Sequence, residues 1–192
     1  MKIYFLRHTS LDVTPDIFYG QTDLDVSENF ESELKIIKKK ISHYEIDLKK
    51  IKFYSSPLKR CLKLAKSISK DIKLDQRLKE LHLGDWEMKS RESIPKNMIE
   101  QWENNLMSFK IPNGESNTEF LARLGNFCKD ILLSNNDSFV VAHAGSINGM
   151  ISVLTGEPFD ELVENYWEKI SYGSLSLLES LNGKIEIQFI GK

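Results

Sequence analysis

SFVVAHAGS, residues 138–146, is the stretch whose reading decides the fold. Phe139 to Ala142 contain no polar residue, and a strand without a polar face is one covered on both faces. Such a strand belongs at the centre of a parallel sheet flanked by helices. It stops at His143. The small residues Ala144, Gly145 and Ser146 follow, then a helical pattern with Ile147, Met150, Ile151 and Leu154 on one side. Two further runs repeat the theme. KIYFL (2–6) stops abruptly at Arg7 and His8, and IKFYS (51–55) leads into Ser56 and Pro57. IKLD (72–75) reads as a short additional strand.

Helical patterns separate these strands. Ser27 is a candidate N-cap for a helix carrying Phe30, Leu34, Ile37 and Ile41 on one face, with Glu28 and Glu31 early and Lys38–Lys40 late, as the helix dipole favours. Pro57 opens a second helix with Leu58, Cys61, Leu62, Ala65 and Ile68. A third spans about 118–133 through Phe120, Leu121, Leu124, Phe127, Cys128 and Ile131. Residues 84–116 are irregular, with Gly84, Pro95, Pro112, Gly114 and one helical patch of Met98, Ile99, Trp102 and Leu106. The chain closes on two strand-like runs joined at Asn182-Gly183, a strong hairpin signal. Strands alternating with helices predict an α/β protein: a three-layer α/β/α sandwich on a mostly parallel, mixed sheet. Ligands in such sheets bind at the carboxyl ends of the strands, which is where Arg7-His8, Ser55-Ser56 and His143 fall.

The 192 residues fit one domain with an insertion at about 86–117. With 41% hydrophobic and 28% charged residues, the chain has the composition of a globular protein with a real core. A net charge of −2 argues against nucleic acid or an anionic membrane as partner. No apolar stretch approaches a membrane span and no signal-peptide pattern opens the chain, which reads as a cytoplasmic protein. Cys61 and Cys128 both sit in apolar helical patterns, as buried thiols do, although one disulfide is open to them. Trp86 and Trp102 read as packing residues and His43 as a helix-surface residue. No metal-ligand spacing, P-loop, dinucleotide glycine motif or nucleophile elbow is present, so neither metal nor cofactor is expected.

Each polar cluster has a plain and a chemical reading. A histidine serves as nucleophile, base, metal ligand or satisfied core residue. Beside His8, the guanidinium of Arg7 suits a phosphate, binding oxygens while the imidazole attacks phosphorus. Lys59 and Arg60 are solvated helix charges, or Arg60 is a second clamp at a helix N-terminus with free backbone N–H groups. Glu80, in RLKELHLGDWE, is a surface carboxylate, or a proton donor whose pKa an apolar environment would raise. His143 is a packed histidine, or a ligand-facing one with small residues behind it and backbone N–H groups at the following helix start aimed at an anion.

Together these segments resemble the histidine phosphatase superfamily, the phosphoglycerate mutase-like fold, in five blocks in order. They are Arg7-His8; Ser55-Ser56-Pro57-Leu58-x-Arg60-Cys61; Leu78-x-Glu80 with Gly84-Asp85-Trp86-Glu87; Pro112-x-Gly114-Glu115-Ser116 with Arg123; and Val140-Val141-Ala142-His143. The resemblance implies that His8 is the nucleophile, that Glu80 donates the proton, and that His143 is the second catalytic histidine. It implies a phosphate held by positive charge from Arg7, Arg60 and His143. A small-molecule phosphomonoester is the implied substrate, without cofactor, and a homodimer is compatible with it. Where the family has Arg-His-Gly, this chain has Thr9, which either crowds the loop or, like Ser10, donates a hydrogen bond to phosphate. Arg7-His8-Thr9-Ser10 followed by Tyr19-Gly20-Gln21-Thr22-Asp23 most resembles the α-ribazole phosphatases, and implies that Gln21, Thr22 and Gly145 also line the substrate. Those enzymes remove the 5′-phosphate of α-ribazole 5′-phosphate in cobalamin biosynthesis. The alternatives on the same scaffold are a phosphoglycerate mutase or a sugar phosphatase, and, in another class, an inactive phosphate-binding or interaction module.

Overall fold

A computed structural model describes all residues, Met1–Lys192. Its sheet holds six strands: β1 (Lys2–Arg7), β2 (Lys52–Ser55), β3 (Lys73–Leu74), β4 (Ser138–Ala142), β5 (Leu175–Leu181) and β6 (Lys184–Phe189). Their order is β3-β2-β4-β1-β5-β6. The first four in that row run parallel, and β5 and β6 add an antiparallel edge. The helices are α1 (Phe30–His43), α2 (Lys59–Ile68), α3 (Lys96–Asn104), α4 (Asn117–Ser134), α5 (Ala144–Thr155) and α6 (Phe159–Tyr166).

β4 is buried at all five positions and lies between β2 and β1, as its apolar run predicts. Alternation along the strands sorts the core into two layers. Ile3, Phe5, Val140 and Ala142 pack against α4, α5 and α6. Tyr4, Leu6, Phe139 and Val141 pack against α1 and α2 on the opposite face. Each fully buried aliphatic or aromatic side chain in these layers contributes roughly 1.5–3 kcal/mol. The result is a three-layer α/β/α sandwich on a mixed sheet.

Local signals explain most boundaries. α4 starts at a capping box in which Ser116 accepts from the Glu119 amide and Glu119 reaches back to the Ser116 amide. It ends on Asn135 in the left-handed region. The β5–β6 turn is the anticipated Asn182-Gly183, both at positive φ (52° and 80°), as a two-residue hairpin of the right twist requires. Cys61 and Cys128 are free, buried thiols. Trp86 packs among Phe18, Trp102 and Phe109, and His43 lies exposed at the end of α1.

Three boundaries differ from the sequence reading. Ser27 does not cap α1; Asn29 precedes the first helical residue, and the Ser27 hydroxyl meets Ser10 instead. α2 begins at Lys59 rather than at Pro57, after an extended Leu58. α6 was not anticipated, although Phe159, Leu162, Val163 and Tyr166 behind Pro158 carry a helical spacing. In the irregular stretch, Leu83, Trp86, Ile94, Ile99 and Ile111 form a small core of their own, apart from the two sheet layers.

Candidate active site

The sheet register brings the strand ends together. Arg7 pairs with Ala142 and Ser55 with Val141, so His8, His143 and Ser56 emerge from three adjacent strands at one level. The backbone continues the pairing: the His8 amide donates to the Ala142 carbonyl (3.1 Å) and the Ser56 amide to the Val141 carbonyl (3.0 Å).

His8 is 1% exposed. Its Nδ1 lies 2.8 Å from the Thr9 carbonyl oxygen. A carbonyl only accepts, so Nδ1 carries the proton and Nε2 keeps its lone pair. Burial, then Arg60 and Arg7, push the His8 pKa well below the ordinary histidine value. A neutral imidazole with a free Nε2 is a nucleophile ready for use.

His143 packs beside it, with ring centroids 5.2 Å apart. Its Nδ1 accepts from Arg60 Nε at 3.1 Å, and its Nε2 lies 2.8 Å from Ser56 Oγ. Arginine only donates, so the His143 proton sits on Nε2 and is given to Ser56. Burial and the nearby Arg60 push its pKa well down. His143 is thus a neutral N–H donor here, not the third cation that the resemblance implied.

Arg60 is fully buried at the start of α2. Its Nη1 donates to the Thr22 carbonyl (2.8 Å) and its Nη2 to the Gly20 carbonyl (2.6 Å). Three of the five guanidinium N–H groups are thereby committed, leaving two for an anion. The loop supplying those carbonyls is gripped by Glu87. Its carboxylate accepts from the amides of Gly20 (2.9 Å), Gln21 (2.7 Å), Thr22 (3.1 Å) and Leu83 (3.1 Å), and from the Thr22 hydroxyl (2.6 Å). Burial pushes the Glu87 carboxyl up, but the Thr22 hydroxyl and these amides outweigh it and hold it below its usual range. Any side chain at position 20 would place its Cβ 2.0 Å from the Leu81 carbonyl, so the loop needs Gly20 there. Arg7, at the end of β1, donates from Nη1 to the Ile170 carbonyl (2.7 Å) and lies under the Tyr172 ring, 4.1 Å from its centroid. The buried Arg7 Nε has no partner within the protein.

Glu80 follows a 3-10 turn at Gln76–Leu78. Its carboxylate accepts from its neighbour Leu81 (3.0 Å) and from the Gly145 amide (2.9 Å) in the first turn of α5. A Cβ on residue 145 would stand 2.5 Å from Glu80 Oε1. Arg123 fixes this segment. Its guanidinium reaches the carbonyls of Arg77, Lys79 and Glu80, each at 2.7 Å, and makes a two-point pair with the Glu115 carboxylate (2.7 and 2.9 Å).

Arg7, His8, Arg60, Glu80 and His143 therefore converge on one sheet edge. The secondary expectations divide. Gly145 lies beside the site, but its amide is taken by Glu80. Likewise the α2 start binds a carboxylate of the protein, the Lys59 amide donating to Asp23 (2.7 Å). Both helix starts expected to hold an anion thus hold a side chain. Ser10 is turned away, its hydroxyl on Ser27 (2.6 Å) and Glu33 (2.5 Å). The Thr22 hydroxyl is spent on Glu87, and Gln21 Nε2 on the Glu80 carbonyl (3.0 Å). Thr9 is fully buried beside the nucleophile with its Oγ1 unpartnered. The organising roles of Glu87, Arg123, Ile170 and Tyr172 escaped the sequence reading. Only the neighbouring motif residues hinted at the first two. His82 uses its amide on Glu115 (2.9 Å). No group of three or more His, Cys, Asp and Glu side chains forms a metal-holding cluster, and no helix is long and apolar enough to cross a membrane.

The family model of the histidine phosphatase superfamily (branch 1) matches residues 3–192. The chain belongs to that superfamily. Its members are phosphatases or mutases that act through a phosphohistidine, and this histidine phosphatase is accordingly an enzyme with a small phosphate ester as substrate. It is 27% identical over 171 residues to a Hydrogenobacter thermophilus protein named "Putative phosphoserine phosphatase 2", covering 86% of this chain and 82% of the relative. It is 26% identical over 166 residues to "Probable phosphoglycerate mutase GpmB" of Serratia proteamaculans, covering 82% and 76%. The α-ribazole phosphatase of Shigella flexneri superimposes with a TM-score of 0.84 at 18% identity, over 100% of this chain and 96% of that one. That likeness establishes the phosphoglycerate mutase-like fold.

Proposed function

We propose that this histidine phosphatase removes the 5′-phosphate of α-ribazole 5′-phosphate, by way of phospho-His8. The observation that carries the chemistry is the His8 tautomer. With Nδ1–H on the Thr9 carbonyl, the Nε2 lone pair stays available among two guanidiniums. Nε2 attacks phosphorus, the bond from phosphorus to the ester oxygen breaks, and a protonated Glu80 hands its proton to the leaving alkoxide. Water then gives a proton back to Glu80 as its oxygen attacks phosphorus, and the P–N bond breaks. The free N–H groups of Arg7 and Arg60, with the Nε2–H of His143 swung from Ser56, hold the phosphoryl oxygens as charge develops. The roles of the five residues follow from this placement. The small core around Trp86 is proposed as a cap over the leaving group, carried by a single domain spanning the chain.

The α-ribazole substrate is supported by Arg7-His8-Thr9-Ser10 with Tyr19-Gly20-Gln21-Thr22-Asp23 and by the full-length superposition on an α-ribazole phosphatase. The names of the relatives at 26–27% identity favour a second reading, a small acidic ester such as phosphoserine or phosphoglycerate. Phosphate release from α-ribazole 5′-phosphate, phosphoserine, 3-phosphoglycerate and an aryl phosphate, with wild type and His8→Ala and with chelator present, separates them. His8-dependent release fastest on the α-ribazole ester supports the proposal; faster release from an acidic ester replaces the substrate and keeps the chemistry.

A further inference from the structure

Two phenols span the mouth of the site, and no step above uses either. The Tyr172 ring stands 4.1 Å from the Arg7 guanidinium carbon and 5.6 Å, centroid to centroid, from His8. The Tyr19 ring stands 5.6 Å from the Arg60 guanidinium carbon. The two hydroxyls meet at 2.5 Å across 153 residues of chain. Each phosphate-facing arginine thus carries one ring, and the rings are tied into a single arch. Tyr172 is 38% exposed and His8 beneath it 1%, so the arch stands at the surface over the nucleophile.

The fold itself does not call for this arch. Phe18, the residue before Tyr19, packs inward on Trp86 and Trp102 and anchors the loop. Tyr19 points the other way, to the mouth. A ring over a guanidinium uses the face of that group and leaves its N–H edges for phosphoryl oxygens. Arch and phosphate are therefore compatible. One O–H···O bond consumes one of two phenolic protons, so the arch offers ring surface and one remaining donor to whatever is attached to the phosphate. Aromatic faces are electron-rich; they attract flat rings and repel carboxylates.

We propose that Tyr19 and Tyr172 form the leaving-group subsite, a stacking rim that selects phosphate esters of flat, ring-bearing, nucleoside-like alcohols over small or acidic ones. This deepens, and rests on, the reading of the chain as a phosphomonoesterase. The test compares kcat/KM for α-ribazole 5′-phosphate and adenosine 5′-monophosphate with that for glycerol 3-phosphate and 3-phosphoglycerate. The proteins are wild type, Tyr19→Leu, Tyr172→Leu, Tyr19→Phe and Tyr172→Phe. Inhibition by inorganic phosphate reports separately on the arginines. In each Leu variant the ring-to-ring-free ratio should fall about tenfold, the size of one lost ring–ring contact, chiefly through KM. The Phe variants, which keep the face, should hold the ratio. An unchanged ratio in both Leu variants overturns the proposal. So does an equal loss on every ester with phosphate inhibition weakened in parallel, because the rings then only brace the arginines. If α-ribazole 5′-phosphate is no better than adenosine 5′-monophosphate but the ratio still collapses in the Leu variants, the α-ribazole reading fails and the rim stands. If α-ribazole 5′-phosphate is best and the ratio survives both Leu variants, the rim alone fails.

Discussion

The two walls of this site are built by different means. On one side, His8, Ser56 and His143 leave three neighbouring parallel strands, and backbone pairing alone sets their heights. On the other, Glu80 and the loop carrying Gly20 and Thr22 belong to no sheet or helix. They are held by side chains: Glu87 collects five N–H and O–H donors, and Arg123 with Glu115 grips the carbonyls around Glu80. The difference teaches that the nucleophile's wall is preorganised by the fold itself. The acid's wall depends on buried carboxylates replacing the hydrogen bonds that a sheet would have made. The two meet where the Gly145 amide, at the start of α5, binds Glu80.

That contrast is open to attack from the acid's side first. Glu80→Gln should slow an alkyl phosphate by about a thousandfold, in the middle of the general-acid range, and an aryl phosphate far less, because a good leaving group needs no proton. Equal losses on both esters, measured as kcat, would remove the proton-donor role. Glu87→Gln trades an acceptor oxygen for an NH₂ group facing amide donors. Loosening of the 20–22 loop and Arg60 should cost about a hundredfold in kcat/KM, the penalty for displacing a positioned group by about 1 Å. Steady-state kinetics with a thermal melt checks this. A wild-type kcat/KM would mean the loop holds without its carboxylate. Gly145→Ala forces Glu80 away by its own Cβ, since that atom would stand 2.5 Å from Oε1. The loss should be smaller than in Glu80→Gln and share its leaving-group dependence; a uniform loss across esters would point to damage on the strand-end wall instead.

The smallest effect is in pH. His8 and His143 are both held neutral by burial, with pKa values well below the usual histidine value. In the unfolded chain they bind protons near pH 6.5, so the unfolded state gains protons first as pH falls. Stability should drop below about pH 6.5 by up to about 1.4 kcal/mol per histidine per pH unit, continuing down to the folded pKa values. The acid limb of kcat/KM should likewise lie below pH 6.5, because the nucleophile stays unprotonated. Denaturant melts of wild type and His143→Asn across that range, with a pH–rate profile, would show both. An acid limb centred at or above pH 6.5 would mean His8 is solvated.

The contrast between the walls also explains what the sequence could disclose. Strand ends are legible because an apolar run that stops at a charged residue is a one-dimensional signal, as at Leu6-Arg7-His8 and Ala142-His143. The central place of β4 and the Asn182-Gly183 hairpin were readable for the same reason. Glu87 was hidden because its loop partners lie 65 to 67 residues away, and Tyr172 because its partner lies 153 residues away. Nothing local marks such a contact. Free backbone N–H groups at the starts of α2 and α5 were expected to hold phosphate. They hold Asp23 and Glu80 instead, because a chain with 28 acidic residues can supply the anion itself. The Ser27 cap failed in a similar way, its hydroxyl being drawn to Ser10 and the Asn29 amide.

The central claim is that the strand-end wall presents a neutral His8 Nε2 to phosphorus. The most direct measurement is a rapid quench at alkaline pH during turnover, followed by intact-protein and peptide mass spectrometry on wild type and His8→Ala. The account predicts one acid-labile phosphoryl group on the peptide containing His8 in wild type, none in His8→Ala, and phosphate release at background in the variant. Steady phosphate release from His8→Ala, or a phosphoryl group on any other residue, would contradict it.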